Sequence, residues 1–432
     1  MNSYQYCVRL CFILLCLCIP IHGWSQDTLR LTLDSCLRYA YEHSSVVEIA
    51  RLGEERAEVT LHSARWRFFP TVNASAGEYW SKSNDQYTHD FSMGANASMT
   101  LFDGLSSWNN FKQSKLTLQQ SIFQMQQSRR TVGEQVGNAF LTLLMNQEKL
   151  FYQQHLLDNC RQQKEEGRLR YEVGKILESE YRLLEANLRQ TEKEILNLKL
   201  SIEECQWTLQ VLLNLPEEVV LDIMPLELRP YDTVLPPFDT VMQVALASQP
   251  DLKIAQMEVE MAKCAVRIAR AVYFPTLSLS VGTSYYGGNQ GLVDALGHFV
   301  NQSGLNNNIG LNLSIPILNY SIASTQVRQS KINLRQAEVE RGQKAREFQQ
   351  SVKKMYVATQ QSLNNYLASR QQEQAYRTNY DIYRIRFNEG KVGIVELLQQ
   401  QDNYLGVLND YLQSKYTFIL NTKLLELIQS EP

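Results

Sequence analysis

Side chains that could carry out catalysis are few in this chain, and none occurs at a spacing that a known chemistry requires. No nucleophile lies in a motif with a general base, and no glycine-rich phosphate loop is present. The six histidines are scattered, and they are His22, His43, His62, His89, His155 and His298. The sequence therefore predicts that the protein is not an enzyme and that it uses no metal or other cofactor.

The cysteines also lack a metal-binding arrangement. Four lie beyond the N-terminal segment without a CxxC motif or a Cys/His spacing, and they are Cys36, Cys160, Cys205 and Cys264. We expect these four to be small, buried, apolar residues. Pairing cannot be deduced from sequence alone, so whether any disulfide forms among them stays open.

Charged residues recur at two matching positions that are better candidates for a functional site. Gly174-Lys175 and Gly390-Lys391 are each followed, at the same spacing, by a glutamate, Glu180 or Glu396. Glycine supplies the left-handed backbone that ends a helix, so both positions are predicted turns between helices. A carboxylate in the first turn of a helix offsets the positive end of the helix dipole, which is one role for both glutamates.

The two turns match because the chain contains an internal duplication. A shift of 205 residues aligns residues 36–77 with 241–282, and a shift of 216 residues carries the match through the second turn after a short insertion. The order of matching residues is the same in both halves. The sequence therefore predicts two structural repeats, residues 26–215 and 239–432.

Proline placement predicts long helices in both repeats. No proline falls between Thr71 and Leu215 or between Ile317 and Glu431, and proline inside a helix breaks it. A cluster of prolines marks residues 216–238 as the linker between the repeats. Each repeat is predicted to contain a helix, two strands, a long helix and a further helix after the turn. The long helices are predicted at 107–170 and 323–386, and the helices after the turns at 176–214 and 392–430.

Two Phe-Pro-Thr sequences mark where a helical period changes to an alternating one. Phe69-Pro70 and Phe274-Pro275 are predicted helix-to-strand junctions, because the residue before proline is biased out of the helical region. Alternating segments of about ten residues with one apolar and one small, polar face are typical of transmembrane β-strands. An ordinary two-layer domain with half-buried hairpins is the alternative. The four strands are predicted at 70–80, 92–102, 275–286 and 308–318.

Four strands cannot close a barrel by themselves. An open strand edge is not tolerated in lipid, and single-chain barrels begin at eight strands. Several copies must therefore share one barrel if these strands cross a membrane. The mean hydropathy of −0.31 excludes a polytopic helical membrane protein. The net charge of −3 gives no reason to expect nucleic acid as a partner.

An apolar run at residues 7–23 predicts export from the cytoplasm. Arg9 lies on its early side, and the small residues Gly23 and Ser25 lie at its end, as in a secretory signal peptide. We expect residues 1–25 to be removed. A membrane anchor is the alternative, although the run is short for a spanning helix of about 20 residues. Whether the N-terminus is lipidated stays open.

These features together resemble the TolC-like outer-membrane efflux protein family. The resemblance rests on the duplicated Phe-Pro-Thr, on the segment LFDG at 101–104 that opens a long helix, and on the turns at Gly174 and Gly390. It covers nearly the whole mature chain. It implies a mainly α fold with a β-barrel portion, namely a duplicated long-helix α-barrel plus four transmembrane β-strands per chain, closed as a twelve-stranded barrel in a homotrimer.

The resemblance also implies a function. Family members are passive exit ducts that span the outer membrane and the periplasm and contact outer-membrane lipid. They dock to a periplasmic adaptor protein and an inner-membrane pump in tripartite efflux or type I secretion systems. The cargo (drug, metal ion or protein) and the identities of pump and adaptor stay open. A non-transporting coiled-coil periplasmic scaffold or adhesin is the alternative, and it leaves the four alternating strands unexplained.

The resemblance further assigns roles to the two turns. Val173, Gly174 and Lys175 match the family's adaptor-docking tip, and Gly390 and Lys391 form its second copy. There Glu389 stands where the family pattern has valine.

Glu180 and Glu396 fall on acidic positions where a ring of carboxylates can select cations at the periplasmic entrance. The helix-dipole role remains the alternative for both. Gln399 and Val392 depart from a second acidic position and from a latch arginine of the family, so the resting gate network stays open.

Overall fold

The computed structural model of the chain describes residues 28–83, 86–216, 219–226, 234–288, 297, 305–317 and 320–429. The predicted signal peptide, residues 1–25, lies outside the described residues, as does part of the predicted linker. No helix in these described ranges combines the length and the apolar character needed to span a bilayer.

The two repeats contain the same elements in the same order. Strand β1 (Thr28–Leu31) precedes the first repeat, which consists of α1 (Leu33–His43), α2 (Ser45–Trp66), β2 (Thr71–Ser83), β3 (Gln86–Phe102), α3 (Ser106–Glu172) and α4 (Glu178–Leu213). Strand β4 (Val220–Ile223) lies in the linker. The second repeat consists of α5 (Phe238–Ser248), α6 (Pro250–Ala271), β5 (Thr276–Gly288), β6 (Leu305–Ser314), α7 (Tyr320–Asn388) and α8 (Ile394–Gln429).

The long helices α3 and α7 dominate the molecule. They contain 67 and 69 residues and each therefore spans about 100 Å. Both begin and end within three residues of the predicted bounds. Helix α3 packs along α4, and α7 packs along α8, so the chain forms two long antiparallel helix pairs. Helix α4 buries Leu184, Leu188 and Ile195 at the three- and four-residue steps of coiled-coil packing.

The helix predicted before each strand pair is interrupted in the structure. In both repeats it is divided into an 11-residue and a 22-residue helix, and the prediction of one continuous helix was wrong. Gln249 is extended, with ψ 116°, because Pro250 follows it and begins α6. Ser44 takes the same extended form, with ψ 130°, at the matching break. The Ser44 side chain makes no capping hydrogen bond to α2, so the first repeat has the same break without a proline and without a side-chain cap.

The four long strands form one antiparallel sheet with the order β2-β3-β5-β6. Strand β3 begins at Gln86, so it is longer than the predicted strand at 92–102 and includes residues that lie between the first two predicted strands. Strand β6 begins earlier and ends earlier than predicted, at Leu305 and Ser314. Pro316 follows β6 and cannot donate a ladder hydrogen bond, which is consistent with that earlier end.

The register of the sheet sorts its side chains by polarity. One row across the four strands consists of Val72, Ala97, Val281 and Ile309. The next row on the opposite face consists of Asn73, Asn96, Gly282 and Asn308. Around this first row the apolar face is exposed in the single chain, where Val72 is 71% and Ile309 80% accessible. Farther along the same face, Phe91 and Tyr285 are buried against each other. One sheet face is therefore an open apolar surface, and the other is lined by small polar residues.

A second, small sheet was not predicted in full. Strand β1 pairs in parallel with β4, and the backbone register places Leu29 opposite Leu221. The linker segment VVLDI at residues 219–223 indicates a short strand, which is β4. Strand β1 was not predicted, because a four-residue strand with a distant partner has almost no local signal. Leu31 and Ile223 extend from this sheet into a core cluster with Phe140 of α3. This cluster anchors the linker against the middle of the long helices.

Candidate functional site

The first helix–helix turn joins α3 to α4 through a left-handed glycine. Gly174 has φ 72°, and its N–H donates to the carbonyl oxygen of Tyr171 at 2.9 Å. The N–H of Lys175 donates to the carbonyl oxygen of Arg170 at 2.8 Å. These two bonds form a Schellman motif, which satisfies carbonyls that the end of a helix leaves free. Val173 is 67% exposed at the outermost point of the turn.

The second turn, between α7 and α8, repeats this geometry. Gly390 has φ 75°, and its N–H donates to the Phe387 carbonyl oxygen at 2.9 Å. Lys391 donates in the same way to Arg386 at 2.8 Å. The Nζ of Lys391 also forms an ion pair with Glu389 Oε2 at 2.6 Å. Glu389 thus neutralises the lysine of the second turn, whereas the first turn has the apolar Val173 at the matching position.

Glu180 and Glu396 occupy equivalent positions but make different contacts. Glu180 Oε2 accepts from the Leu177 N–H at 2.9 Å, and the Glu180 N–H donates back to the Leu177 carbonyl at 3.1 Å. This reciprocal pair is the glutamate half of a capping box, and it holds the half-buried carboxylate against the start of α4. Glu396 is exposed in the first turn of α8, where no hydrogen bond or ion pair joins its side chain to another described residue. Its carboxylate is therefore exposed to solvent and is not neutralised by a described residue.

Both turns line one cleft at the end of the helix pairs. The cleft has a volume of about 740 Å³ and contains charges of both signs. Its charged lining residues are Arg170, Lys175, Glu180, Glu389, Lys391 and Glu396. The structure therefore brings together, at one end of the molecule, all of the residues that the sequence singled out in the two turns except Val173 and Gly174, which lie on the adjoining surface.

Arg170 is the residue of this site that the sequence did not single out. Its Nη2 donates to the Asn388 carbonyl oxygen at 2.8 Å, and its guanidinium lies 4.6 Å from the centre of the Phe387 ring. Arg170 therefore joins the end of α3 to the end of α7, with a cation–π contact and a hydrogen bond. Its place in the segment RYEVGK, which matches RFNEGK at the second turn, was the available signal. The partner across the cleft could not be inferred from either segment.

The predicted helix-to-strand junctions lie at the opposite end of the long helices. The Phe69 N–H donates to the Trp66 carbonyl oxygen at 3.0 Å, and the Phe274 N–H donates to Ala271 at 3.0 Å, so each phenylalanine closes the last turn of a helix. Pro70 and Pro275 then precede β2 and β5. Phe69 and Phe274 are both half exposed, at 56% and 50%. These residues belong to the base of the sheet and not to the cleft.

Neither a metal site nor a disulfide occurs in the part of the chain that the structure describes. No group of three His, Cys, Asp or Glu side chains in those residues could hold a metal ion. Cys36, Cys160 and Cys264 are buried, as the sequence predicts, whereas Cys205 is only half-buried. All four are free thiols, which the sequence left open. Burial raises the pKa of the Cys36 thiol to about 12, which keeps it protonated and unreactive.

Comparison with known proteins identifies the family. The profile of the family described as outer membrane efflux protein matches residues 38–215 and 241–426, which include most of both repeats. The chain belongs to the outer membrane efflux protein family. The resemblance drawn from the sequence is thereby confirmed. The protein is an outer-membrane efflux protein, and it is not an enzyme.

Solved structures of outer-membrane channels have the same fold. CmeC, the outer membrane channel of Campylobacter jejuni, is 19% identical, with a TM-score of 0.77 over 92% of this chain and 85% of that chain. VceC, an outer membrane protein of Vibrio cholerae, is 16% identical, with a TM-score of 0.77 over 92% and 96%. CusC, described as forming a transmembrane channel, is 18% identical, with a TM-score of 0.79 over 95% and 94%. Comparison with curated protein sequences finds no match.

Proposed function

We propose that this efflux family member is the passive exit duct of a tripartite efflux or type I secretion system. Three copies share a twelve-stranded barrel in the outer membrane, and their helix pairs form one tunnel through the periplasm. A periplasmic adaptor docks on the turn tips at Val173, Gly174 and Lys175 and at Gly390 and Lys391, and an inner-membrane pump supplies the energy. Family membership favours this duct over a non-transporting scaffold or adhesin.

The two-faced sheet is the observation that carries this proposal. Ile309, Leu311 and Leu313 of β6 are 80%, 66% and 58% exposed on the face that also presents Val72 and Val281. An apolar surface of this kind is stable when it contacts lipid, while the opposite face of Asn, Ser, Thr and Gly lines a water-filled pore. Within the described sheet β2 and β6 each have one neighbour, so each leaves an edge that lipid cannot satisfy. Strands of sister chains satisfy both edges.

Two exposed apolar stripes on the helix pairs support contact between copies below the sheet. The α4 stripe consists of Leu196, Leu200, Trp207 and Val211, and the α7 stripe consists of Val357, Leu367, Ile382 and Ile385. Trp207 lies as many residues from Gly174 as Val357 lies from Gly390. Helices rise equally per residue, so the two side chains reach the same height above the turns. We infer that the α4 stripe of one copy packs on the α7 stripe of the next.

The charged turns support a second element of the proposal, an ion-selective entrance. Three copies would place three Glu396 carboxylates around the axis at the tip, where such a ring attracts cations. Glu180 contributes its charge at the same level, although its carboxylate is also held by the capping box.

Substitutions on opposite faces of one strand test the duct. Ile309→Arg places a charge on the lipid face, which costs about 2–4 kcal/mol near the middle of a bilayer, whereas the neighbouring Asn308→Arg places it in the pore. We expect Ile309→Arg to reduce the amount of channel that inserts into membranes. Asn308→Arg should insert normally and shift the reversal potential in planar bilayers toward anions. Equal insertion of both variants would contradict the assignment of the faces.

A further inference from the structure

A ring of polar side chains, all buried except the half-buried Asn187, crosses helices α3, α4, α7 and α8 above the turns. We call this ring the polar layer, and it consists of Cys160 and Gln163 of α3, Asn187 of α4, Tyr380 of α7 and Gln401 of α8. Gln401 is 1% exposed, Tyr380 2% and Gln163 3%. Between the polar layer and the turns lies a purely apolar level that includes Leu184, Phe387, Ile394 and Leu397.

The polar layer is one continuous chain of hydrogen bonds. The Gln163 amide donates to the Tyr380 hydroxyl oxygen at 3.3 Å, and that hydroxyl donates to Gln401 Oε1 at 3.5 Å. The Gln401 amide donates to Asn187 Oδ1 at 3.1 Å, and the Asn187 amide donates to Cys160 Sγ at 3.3 Å. The chain therefore passes from α3 to α7, α8 and α4 and returns to α3, one turn from its start.

These residues replace apolar side chains at core positions. In α8 the buried series Ile394, Leu397, Gln401, Leu408 and Leu412 follows the three- and four-residue steps of a coiled coil, with one glutamine among aliphatic residues. Most of the bonds in the layer are long, and the buried Gln163 Oε1 accepts no bond from the described residues. Leucine at these positions would give a more stable core, because a buried amide with incomplete bonding costs free energy. Stability therefore does not explain the polar layer.

A role in fixing the axial register between the two helix pairs does explain the polar layer. An apolar seam with a leucine or isoleucine at every turn can slide by one turn and remain apolar, so it specifies the axial position of a helix only weakly. A buried polar residue in a core specifies register at a cost in stability, since a slide leaves its amide without a partner. Every bond between the two helix pairs in this region would break together, including the bond from Arg384 Nη1 to Asn159 Oδ1 at 2.8 Å.

The layer also keeps the same charge at any ordinary pH. Burial raises the pKa of Tyr380 to about 12, so its hydroxyl retains the proton that it donates to Gln401. Burial likewise raises the pKa of the Cys160 thiol. Arg384 and Asp381 face Tyr380 from its own helix, and no carboxylate or cation is part of the hydrogen-bond chain.

We propose that the polar layer sets the register between the α3/α4 pair and the α7/α8 pair, and that this register holds the tip in one resting arrangement. The inference rests on the proposed duct function. The hydrogen bond from Arg170 to Asn388 is the resting contact that depends on this register. A slide of one helical turn, about 5.4 Å, would break that bond. The apolar level below the layer cannot prevent that slide alone.

An apolar version of the layer tests this proposal. The triple variant Gln163→Leu, Tyr380→Phe and Gln401→Leu removes the chain while keeping the core filled. We expect its trimers to resist heat as well as the wild type or better. Its conductance without adaptor should rise at least threefold and spread over several levels, because the tip no longer has one register. The matched control is Gln413→Leu, which changes an exposed glutamine of α8 farther from the turns and should alter neither property.

The outcomes separate the layer from the duct. If the wild-type protein formed no channel in planar bilayers, the proposed duct function itself would be contradicted. A functional wild type with a triple variant of unchanged conductance would overturn the register proposal alone. If the triple variant fails to assemble, the nearly isosteric single variant Tyr380→Phe replaces it in the test. It should raise the conductance in the same direction, and unchanged conductance would again count against the proposal.

Discussion

Glu180 and Glu396 illustrate at the residue scale how an internal repeat can keep a residue and change its role. The sequence places both in the first turn of a helix, six residues after a glycine. In the structure Glu180 caps α4 through the Leu177 N–H, and Glu396 is exposed at the rim of the cleft. Of the two roles that the sequence left open, helix capping is observed for Glu180, and cation attraction stays a prediction for both glutamates.

Substitutions distinguish charge from capping. Glutamine can still accept the Leu177 N–H, so Glu180→Gln should lower cation preference without loss of stability. Glu180→Ala should also destabilise the start of α4, by about 1 kcal/mol. Glu396→Gln should lower cation preference alone. Reversal potentials in a salt gradient measure the cation preference, and thermal melting of the assembled protein measures the stability. Unchanged reversal potentials in both glutamine variants would contradict the proposed carboxylate ring.

Gly174 gives a second prediction at the residue scale. Any side chain there is strained at φ 72°, by about 1–2 kcal/mol, but space around the residue is open. Gly174→Trp should abolish export and adaptor binding while assembly persists, because the indole covers the tip. Gly174→Ala carries the same backbone strain without the bulk and should export normally. Loss of assembly in both variants would instead assign Gly174 to folding, as read from gel filtration and pull-down with the adaptor.

At the element scale, the sequence predicted what local rules determine. Absence of proline and helical composition located α3 and α7 to within three residues, and alternation located the four strands. The breaks at Ser44 and Gln249 were both missed. At Gln249 the following proline, Pro250, was an available local signal. At Ser44 there was none, because serine is permitted inside helices and this one makes no side-chain capping bond. Strand β1 and the Arg170 contact were missed because their partners lie far along the chain. Tertiary contacts of this kind have no local pattern.

The start of α3 yields a prediction at this scale. Asp103 Oδ2 accepts from the Ser107 N–H at 2.8 Å, so its carboxylate caps the first turn of the long helix directly below the sheet. Asp103→Ala should fray that turn, at a cost of about 0.5–2 kcal/mol, and Asp103→Asn should preserve the cap. Hydrogen exchange of the amides at 106–109 measures the effect. Equal protection in both variants would show that packing alone holds the turn.

At the scale of the whole molecule, the duplication explains the shape. Each repeat supplies one helix pair and two strands, so neither repeat can bury its strand edges or its helix stripes alone. The sheet joins the repeats through the β3–β5 pairing, and the core cluster around Phe140 joins them through the linker. What remains exposed, the outer strand edges and the stripes on α4 and α7, is what a neighbouring copy is proposed to cover.

Cross-linking tests the proposed packing of the stripes. Trp207→Cys together with Val357→Cys places thiols at one height on facing helices of neighbouring copies, so a short bifunctional maleimide should join chains into covalent dimers and trimers. Trp207→Cys with Ile332→Cys is the control, because Ile332 is exposed on α7 but much farther from the turns. Denaturing gels report the products. Cross-linking in the control pair alone would refute the proposed alignment.

The most direct test of the duct is the mass of the protein extracted from outer membranes with mild detergent, determined by native mass spectrometry. The shared barrel predicts three chains in one complex that keeps detergent bound around its sheet. A single chain that stays dispersed in water without detergent would mean that the apolar sheet face meets something other than lipid, and the pore would have no wall.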